Sequence, residues 1–397
     1  MQGNGEGSQS GLRSFGSLLE TGATHLETPH GDFAANWFQN LSTRRPVLVL
    51  CRGDVRSAEP LLARVHSACV TSESLAGCDC DCAAQLDASL ARIAAEDRGA
   101  LFYLLQEGRG AGIAAKARDR MIVQASDHQI TTFEAYDLMG LGRDQRHYEE
   151  VAFACQLLGI AAPLRLLTNN PEKRSAVEAE GVPVVETVAL REQACAESAH
   201  YLASKSRTGH DVDDPGDKAA SLPGPLRYFD PHALPELRGA LRLAAYWLPV
   251  RVGVGNGADW FLLELFDTPD GERILLQRDP SISLARHRDD AQPVALRFER
   301  CALVDRVRRD GQARWRRAAR ALIESGAGVA VFEPLRLRRE EGPPDPWSVA
   351  LLARALGARH ARLVVDGGRE SEFDRACAGA LERRGVKLGA PLVAAGA

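Results

Sequence analysis

The sequence predicts a mixed α/β protein built as two related domains in tandem. Three observations carry that expectation. Strand-length apolar runs alternate with helix-period stretches through the first half. A polar segment rich in Gly, Pro and Asp interrupts the chain near its middle. Pieces after the interruption repeat, in order, pieces before it. The length of 397 residues also exceeds the roughly 100–200 residues of one domain.

Residues 1–25 are rich in Gly and Ser, lack a signal-peptide core and are expected to form a flexible tail. Residues 26–205 are expected to form the first domain. Val47-Leu48-Val49-Leu50 reads as a strand buried on both faces. QLDASLARIAAE (85–96) has apolar residues at helical spacing, and ALFYLL (100–105) reads as a strand ending in the turn QEGRGAG. Tyr148 to Leu158 reads as a helix stopped by Gly159. Leu164 to Leu167 is a further strand, followed by the turn TNNPEK and a helix to Glu180. Residues 206–225 are expected to be a linker and 226–397 a second domain. In that domain PVALRFERC echoes PLLARVHSAC, and GQARWRRAARALIESGAGVAVFEP echoes AAQLDASLARIAAEDRGALFYLLQ. LLARALGARHARLVVDGG likewise echoes ACQLLGIAAPLRLLTNN. The second copy lacks the cysteine cluster of the first, so it is expected to have lost the chemistry and to serve assembly or stability.

Composition excludes several classes. Hydrophobic content of 45% and charged content of 26% suit a folded soluble protein. No apolar run reaches the roughly 18 residues of a membrane helix, and a cytoplasmic location is expected. A net charge of −4 and 6% aromatics argue against a nucleic-acid partner. Nine cysteines, an odd number, argue against a disulfide scaffold. Cys78, Cys80 and Cys82 crowd together, and Cys69 lies just upstream. Cys69, Cys80 and Cys82 could give zinc three thiolates and an open position; Cys78 could instead close a structural four-cysteine site. Buried or redox cysteines are the remaining reading, though no C-x-x-C pair stands at a helix start.

Three turns could hold phosphate. Gln106-Glu107-Gly108-Arg109 follows a strand and offers backbone N–H groups and a guanidinium. Asp144-Gln145-Arg146 precedes a helix, where an Asp is commonly a cap. Thr168 and Lys173 bracket a strand-to-helix turn. Each alone reads better as ordinary turn chemistry.

In combination the motifs resemble the GTP cyclohydrolase II family. R-x-H-S-x-C (64–69), C-D-C (80–82), Q-E-G-R, D-x-R-x-[FY] (144–148), L-L-T-N-N-P-x-K (166–173) and H-Y-L-x-x-K (200–205) occur in the family's order, covering roughly residues 25–210. The resemblance implies a GTP cyclohydrolase II-like fold, a degenerate second domain of similar type, and one Zn²⁺ in the catalytic domain held by Cys69, Cys80 and Cys82. That zinc would acidify a water for attack on guanine C8. It further implies GTP as substrate, Mg²⁺ on its triphosphate and release of pyrophosphate. Riboflavin biosynthesis is the pathway implied. Arg64, Val65, His66, Ser67, Gln85, Glu107, Gly108, Arg109, Thr132, Thr168 and Lys173 would bind substrate. Asp144 would accept a proton, and Arg146 would attack or stabilise the α-phosphorus. Family members are dimers, so a homodimer or a tandem pseudo-dimer is expected.

Four departures bear on the product. Ala68 stands where the family has Glu and Ala83 where it has Gly. Cys78-Asp79 replaces a pair that includes Arg, and Arg120 or Met121 stands where the family has an active-site Tyr. Either a diaminopyrimidinone or a formamidopyrimidine ribosyl phosphate is therefore expected. The alternatives are the same chemistry on a related nucleotide, or a zinc-stabilised nucleotide-binding protein without turnover.

Overall fold

The computed structural model describes residues 12–190, 196–212, 221–224, 240–253, 257–278, 293–308, 311–336, 345–356, 360–366 and 371–394. Its compact units interleave along the chain. One gathers the described residues of Met1–Ser67, Ala88–Leu105 and His147–Leu190. The other gathers those of Ala68–Asp87, Gln106–Arg146 and Arg191–Ala397. The expected domain limits follow chain order; the compact units do not.

The first unit holds a sheet of β1 (Ser14–Phe15), β2 (Leu18–Thr28), β3 (Gly31–Asn40), β4 (Pro46–Arg52), β5 (Leu61–Ser67), β6 (Gly99–Leu104), β7 (Leu164–Leu167) and β8 (Val184–Val188), in the order β1-β2-β3-β4-β6-β5-β7-β8. β2, β3, β4 and β6 pair antiparallel, while β6, β5, β7 and β8 pair parallel. The central strands are continuous apolar runs because both faces are covered. All six residues of β6 are buried. Val47, Val49, Val65, Phe102 and Leu166 share one core with Val151 and Ala154 of the helix Glu149–Leu158. That helix ends at Gly159 in the left-handed conformation (φ 74°), as its sequence predicted.

The expected flexible tail is corrected from residue 14 onward. Ser14–Phe15 and the first part of β2 belong to the sheet. Leu18 is fully buried, Arg13 bonds Glu20 and the Leu157 carbonyl, and Phe15 meets the Phe153 ring edge-on. The Gly/Ser content hid the apolar anchors. The first eleven residues of that tail, and 213–220 and 225 of the expected linker, lie outside the described residues.

The second unit holds the other sheet: β9 (Leu241–Val250), β10 (Asp259–Thr268), β11 (Gly271–Gln277), β12 (Val294–Ala302), β13 (Gly328–Arg336), β14 (His360–Asp366) and β15 (Lys387–Leu388), with β16 (Leu392–Ala394) beside β14. Its order, read as β9-β10-β11-β13-β12-β14-β15, matches β2-β3-β4-β6-β5-β7-β8. The antiparallel and parallel pairings match strand for strand. The echo of PLLARVHS in PVALRFER sits on β5 and β12. Arg64 follows the pair Ala63–Leu166 and donates to the Leu167 carbonyl at 2.9 Å. Arg297 follows Leu296–Leu363 and donates to the Val364 carbonyl at 2.9 Å. The second unit also carries α1 (Val70–Glu73), the start of α2 (Cys82–Ala95), α3 (Gly112–Ala125), α4 (Thr132–Leu138) and, in the C-terminal half, α8 (Gly311–Glu324). Among the described residues no helix is long and apolar enough to cross a membrane.

Candidate functional site

The chain turns sharply after β5. Cys69 caps α1, and its N–H donates to the Glu73 carboxylate at 3.0 Å. Gly77 then passes so close to the Thr71 carbonyl and Leu248 that a Cβ would lie 2.8 Å from each; only glycine fits. This folds Cys80 and Cys82 back onto Cys69. The three sulfurs lie within 4.8 Å of one another.

The set fits a metal. Three thiolates on a tetrahedral zinc, at Zn–S of about 2.3 Å, stand about 3.8 Å apart; the sulfurs of Cys69 and Cys80 are 3.7 Å apart. Cys78 is outside the trio and faces Glu197 at 3.9 Å, so among the described residues the cluster is made of three cysteines. The described cysteines are free thiols. Hydrogen bonds from Cys69 and Cys82 hold the Cys80 thiol well below its ordinary value, and the same crowding pushes Cys82 well above.

A buried polar shell surrounds these sulfurs. Lys116 of α3 donates to the Cys69 sulfur at 2.7 Å and to Glu107 at 2.9 Å. Burial opposes its charge, but Cys69 and Glu107 outweigh burial and raise the ammonium well above its usual range. Burial pushes the Glu107 carboxyl up, and Lys116 pulls it partly back. The other Glu107 oxygen accepts the Val70 N–H at 2.7 Å. Arg120, one turn beyond Lys116, pairs with Asp79 at 2.9 Å and approaches Thr132 at 3.3 Å. Two departures read in the sequence, Asp79 and Arg120, therefore neutralise each other. Gln85 donates to Asp81 at 2.6 Å, and Lys205 pairs with the same carboxylate at 2.7 Å.

Two of the three candidate turns, Gln106–Arg109 and Asp144–Arg146, also take shape in this unit. Arg109 adopts a left-handed conformation (φ 54°), and its guanidinium lies 3.9 Å from the Phe133 ring. Its carbonyl accepts the Gln145 N–H at 2.9 Å. Gly108 opens the turn, and Gly110 leaves room for Gln145, whose carbonyl would stand 2.6 Å from a Cβ. The Gly-rich turn and the Asp144–Arg146 loop thus lie side by side. Arg146 grips the Asp144 carboxylate side-on through Nε and Nη2. Burial works against the Asp144 charge, but Arg146 outweighs it and holds the carboxyl below its usual range.

In the first unit, Arg64, Val65, His66 and Ser67 line β5, with the His66 ring tilted against Tyr103 at 5.5 Å. Lys173 donates to the Val65 carbonyl at 2.9 Å, so it ties the helix Pro171–Ala179 to β5. Thr168 accepts the Asn170 N–H at 3.1 Å within the turn. Lys116, Glu73 and the Asp79–Arg120 pairing are the polar groups that motif reading missed. Lys116 and Arg120 stand four apart on α3, the helical signal that could have joined them.

A family model described as GTP cyclohydrolase II matches residues 20–189. A GTP cyclohydrolase-2 of Tolumonas auensis is 40% identical over 199 residues, 50% of this chain and 99% of that protein. The GTP cyclohydrolase-2 of Saccharophagus degradans is 40% identical over 189 residues, 47% of this chain and 92% of its own length. That of Pseudomonas syringae is 41% identical over 189 residues, 47% of this chain and 90% of its own length. The matched family region ends before β9.

Proposed function

Because the chain belongs to the GTP cyclohydrolase II family, we propose that it hydrolyses the imidazole ring of GTP at a zinc held by Cys69, Cys80 and Cys82, with release of pyrophosphate. The observation that carries this reading is the trio of sulfurs within 4.8 Å of one another, with Cys69 and Cys80 at the 3.7 Å expected of two thiolates on one zinc. Zinc, when bound, supplies hydroxide near neutral pH. Lys116, held in place by Glu107, sets a positive charge against the Cys69 sulfur.

Water adds at C8 and the C8–N9 bond breaks, leaving a formamide on N7; a second water would release formate. In the family this position carries a Tyr whose hydroxyl can orient that second water. Here Arg120 occupies the region and is tied to Asp79. The formamidopyrimidine is therefore the proposed product. Arg109 and Arg146 receive the triphosphate with Mg²⁺. Arg146, clamped by Asp144, is a fixed cation for charge at the α-phosphorus. The remaining substrate contacts proposed are Arg64 to Ser67, Gln85, Glu107, Gly108, Thr132, Thr168 and Lys173. Ala68, in place of Glu, favours a second reading in which a related purine nucleotide is the substrate. The shared strand order of the two halves favours a tandem pseudo-dimer, which solution mass would distinguish from a homodimer.

Incubation with GTP, Zn²⁺ and Mg²⁺, read by product mass, pyrophosphate and formate, tests this. Ring-opened product retaining the formyl carbon, with one pyrophosphate each, is expected. Stoichiometric formate would overturn the product assignment, and intact GTP the activity.

A further inference from the structure

The segment joining the first metal ligand to the other two is bound by the C-terminal half, residue after residue. The Glu73 carbonyl accepts from Gln312 Nε2 at 2.5 Å and the Leu75 carbonyl from Trp315 Nε1 at 2.8 Å. The Ala76 carbonyl accepts the Arg251 N–H at 3.0 Å, Gly77 bridges Val250, and the Cys78 N–H donates to the Pro249 carbonyl at 2.9 Å. The fully buried Glu73 carboxylate, which accepts the Cys69 N–H, faces Arg306 at 3.9 Å. Around these bonds Val70, Leu75, Ile113 and Ala117 share one core with Tyr246, Leu248, Trp315 and Phe332. On the far side of that core Gln124 of α3 exchanges two hydrogen bonds with the Trp247 backbone, at 2.7 and 2.8 Å. This fastens the helix that carries Lys116 and Arg120 to β9.

Between α1 and α2 the loop has no helix or strand of its own. The segment makes one turn of helix, α1, and its backbone polar groups are buried. Left unpaired they would cost about 1–3 kcal/mol each. A metal site gains affinity and a fixed geometry when its supporting groups are already ordered. We infer that the C-terminal half, though stripped of its own cysteine cluster, is the positioning scaffold of the metal site, with Arg306 and Trp315 setting the Cys69–Cys80–Cys82 geometry through Glu73 and Leu75. This rests on the metal reading of the trio.

The test uses the full chain. Arg306→Met removes the charge facing Glu73, and Trp315→Phe removes the indole donor while keeping a ring against Phe332. Leu363→Ala is the control, since Leu363 lies in a separate core of the same half. Each is followed by chelator competition for zinc, by the thiolate-to-cobalt absorption of the Co²⁺-loaded protein, and by thermal unfolding. Zinc affinity should fall at least about tenfold and the cobalt spectrum should shift in Arg306→Met and Trp315→Phe. Leu363→Ala should lower the melting temperature with spectrum and affinity unchanged. Parent-like affinity and spectrum in both loop-contact variants would overturn the inference, as would equal loss in Leu363→Ala. A parent chain that binds neither metal would instead remove the metal reading beneath it.

Discussion

The two sheets share strand order, pairing sense and even one arginine-to-carbonyl bond, yet their central strands do opposite things with charge. On β5, Arg64 is followed by His66 and Ser67, and Lys173 reaches the Val65 carbonyl. On β12, Arg297 is followed by Glu299, which it pairs at 3.0 Å, and it also pairs Asp366 at 2.7 Å. Arg314 joins the same two carboxylates. On β5 these side chains are the proposed substrate contacts, whereas on β12 the equivalent positions are taken up by an ion network. One backbone arrangement can thus carry two different side-chain networks so long as buried charges are paired, because unpaired buried charge is what the fold cannot hold.

The comparison can be broken at several strengths. Cys80→Ser should remove bound zinc and abolish turnover, read by metal content and product mass; full activity without metal would break the division of labour between the copies. Arg146→Ala should cost about 10²–10³-fold in turnover, as loss of a fixed group on transition-state charge does, with zinc content unchanged. Removing one partner of the buried Asp79–Arg120 pair should destabilise by about 3–5 kcal/mol, and Asp79→Leu with Arg120→Met should recover most of it in denaturant titrations. Arg64→Leu against Arg297→Leu sharpens the contrast itself. The first should lower GTP turnover of the folded protein, whereas the second should lower stability alone.

The smallest effect is a pH dependence. Burial pushes the Asp119 carboxyl up from 3.8 to about 6, against Arg120 and Arg109. The folded state therefore keeps the proton longer than the unfolded chain. Its contribution is complete below about pH 4 and is lost as pH rises through about 6, a change of about 3 kcal/mol at most. Asp119→Asn should flatten stability between those values.

Much of this was legible in residue order. The run Val47–Leu50, the helix closed by Gly159 and the cysteine spacing each report a local constraint, and local constraints are written in sequence. The strand at Leu18 was not, since its partners are Asn40 and the apolar core beyond it. Cysteine spacing alone left Cys69 and Cys78 both open as neighbours of Cys80 and Cys82; the family motif chose Cys69, and the turn through Gly77 against Leu248 is what brings it there. The Asp79–Arg120 pair joins a loop to a helix some forty residues on, so each looked like an isolated departure. Likewise, the echoes of the first half in the second predicted a shared fold but not that the helix Gly311–Glu324 and β9 bind the loop between Cys69 and Cys80.

The most direct test is X-ray absorption at the zinc edge of the metal-loaded chain. Three sulfur neighbours at about 2.3 Å with one lighter atom completing the shell is the expected result. Four sulfurs, or fewer than three, would contradict the open three-cysteine centre on which the chemistry depends.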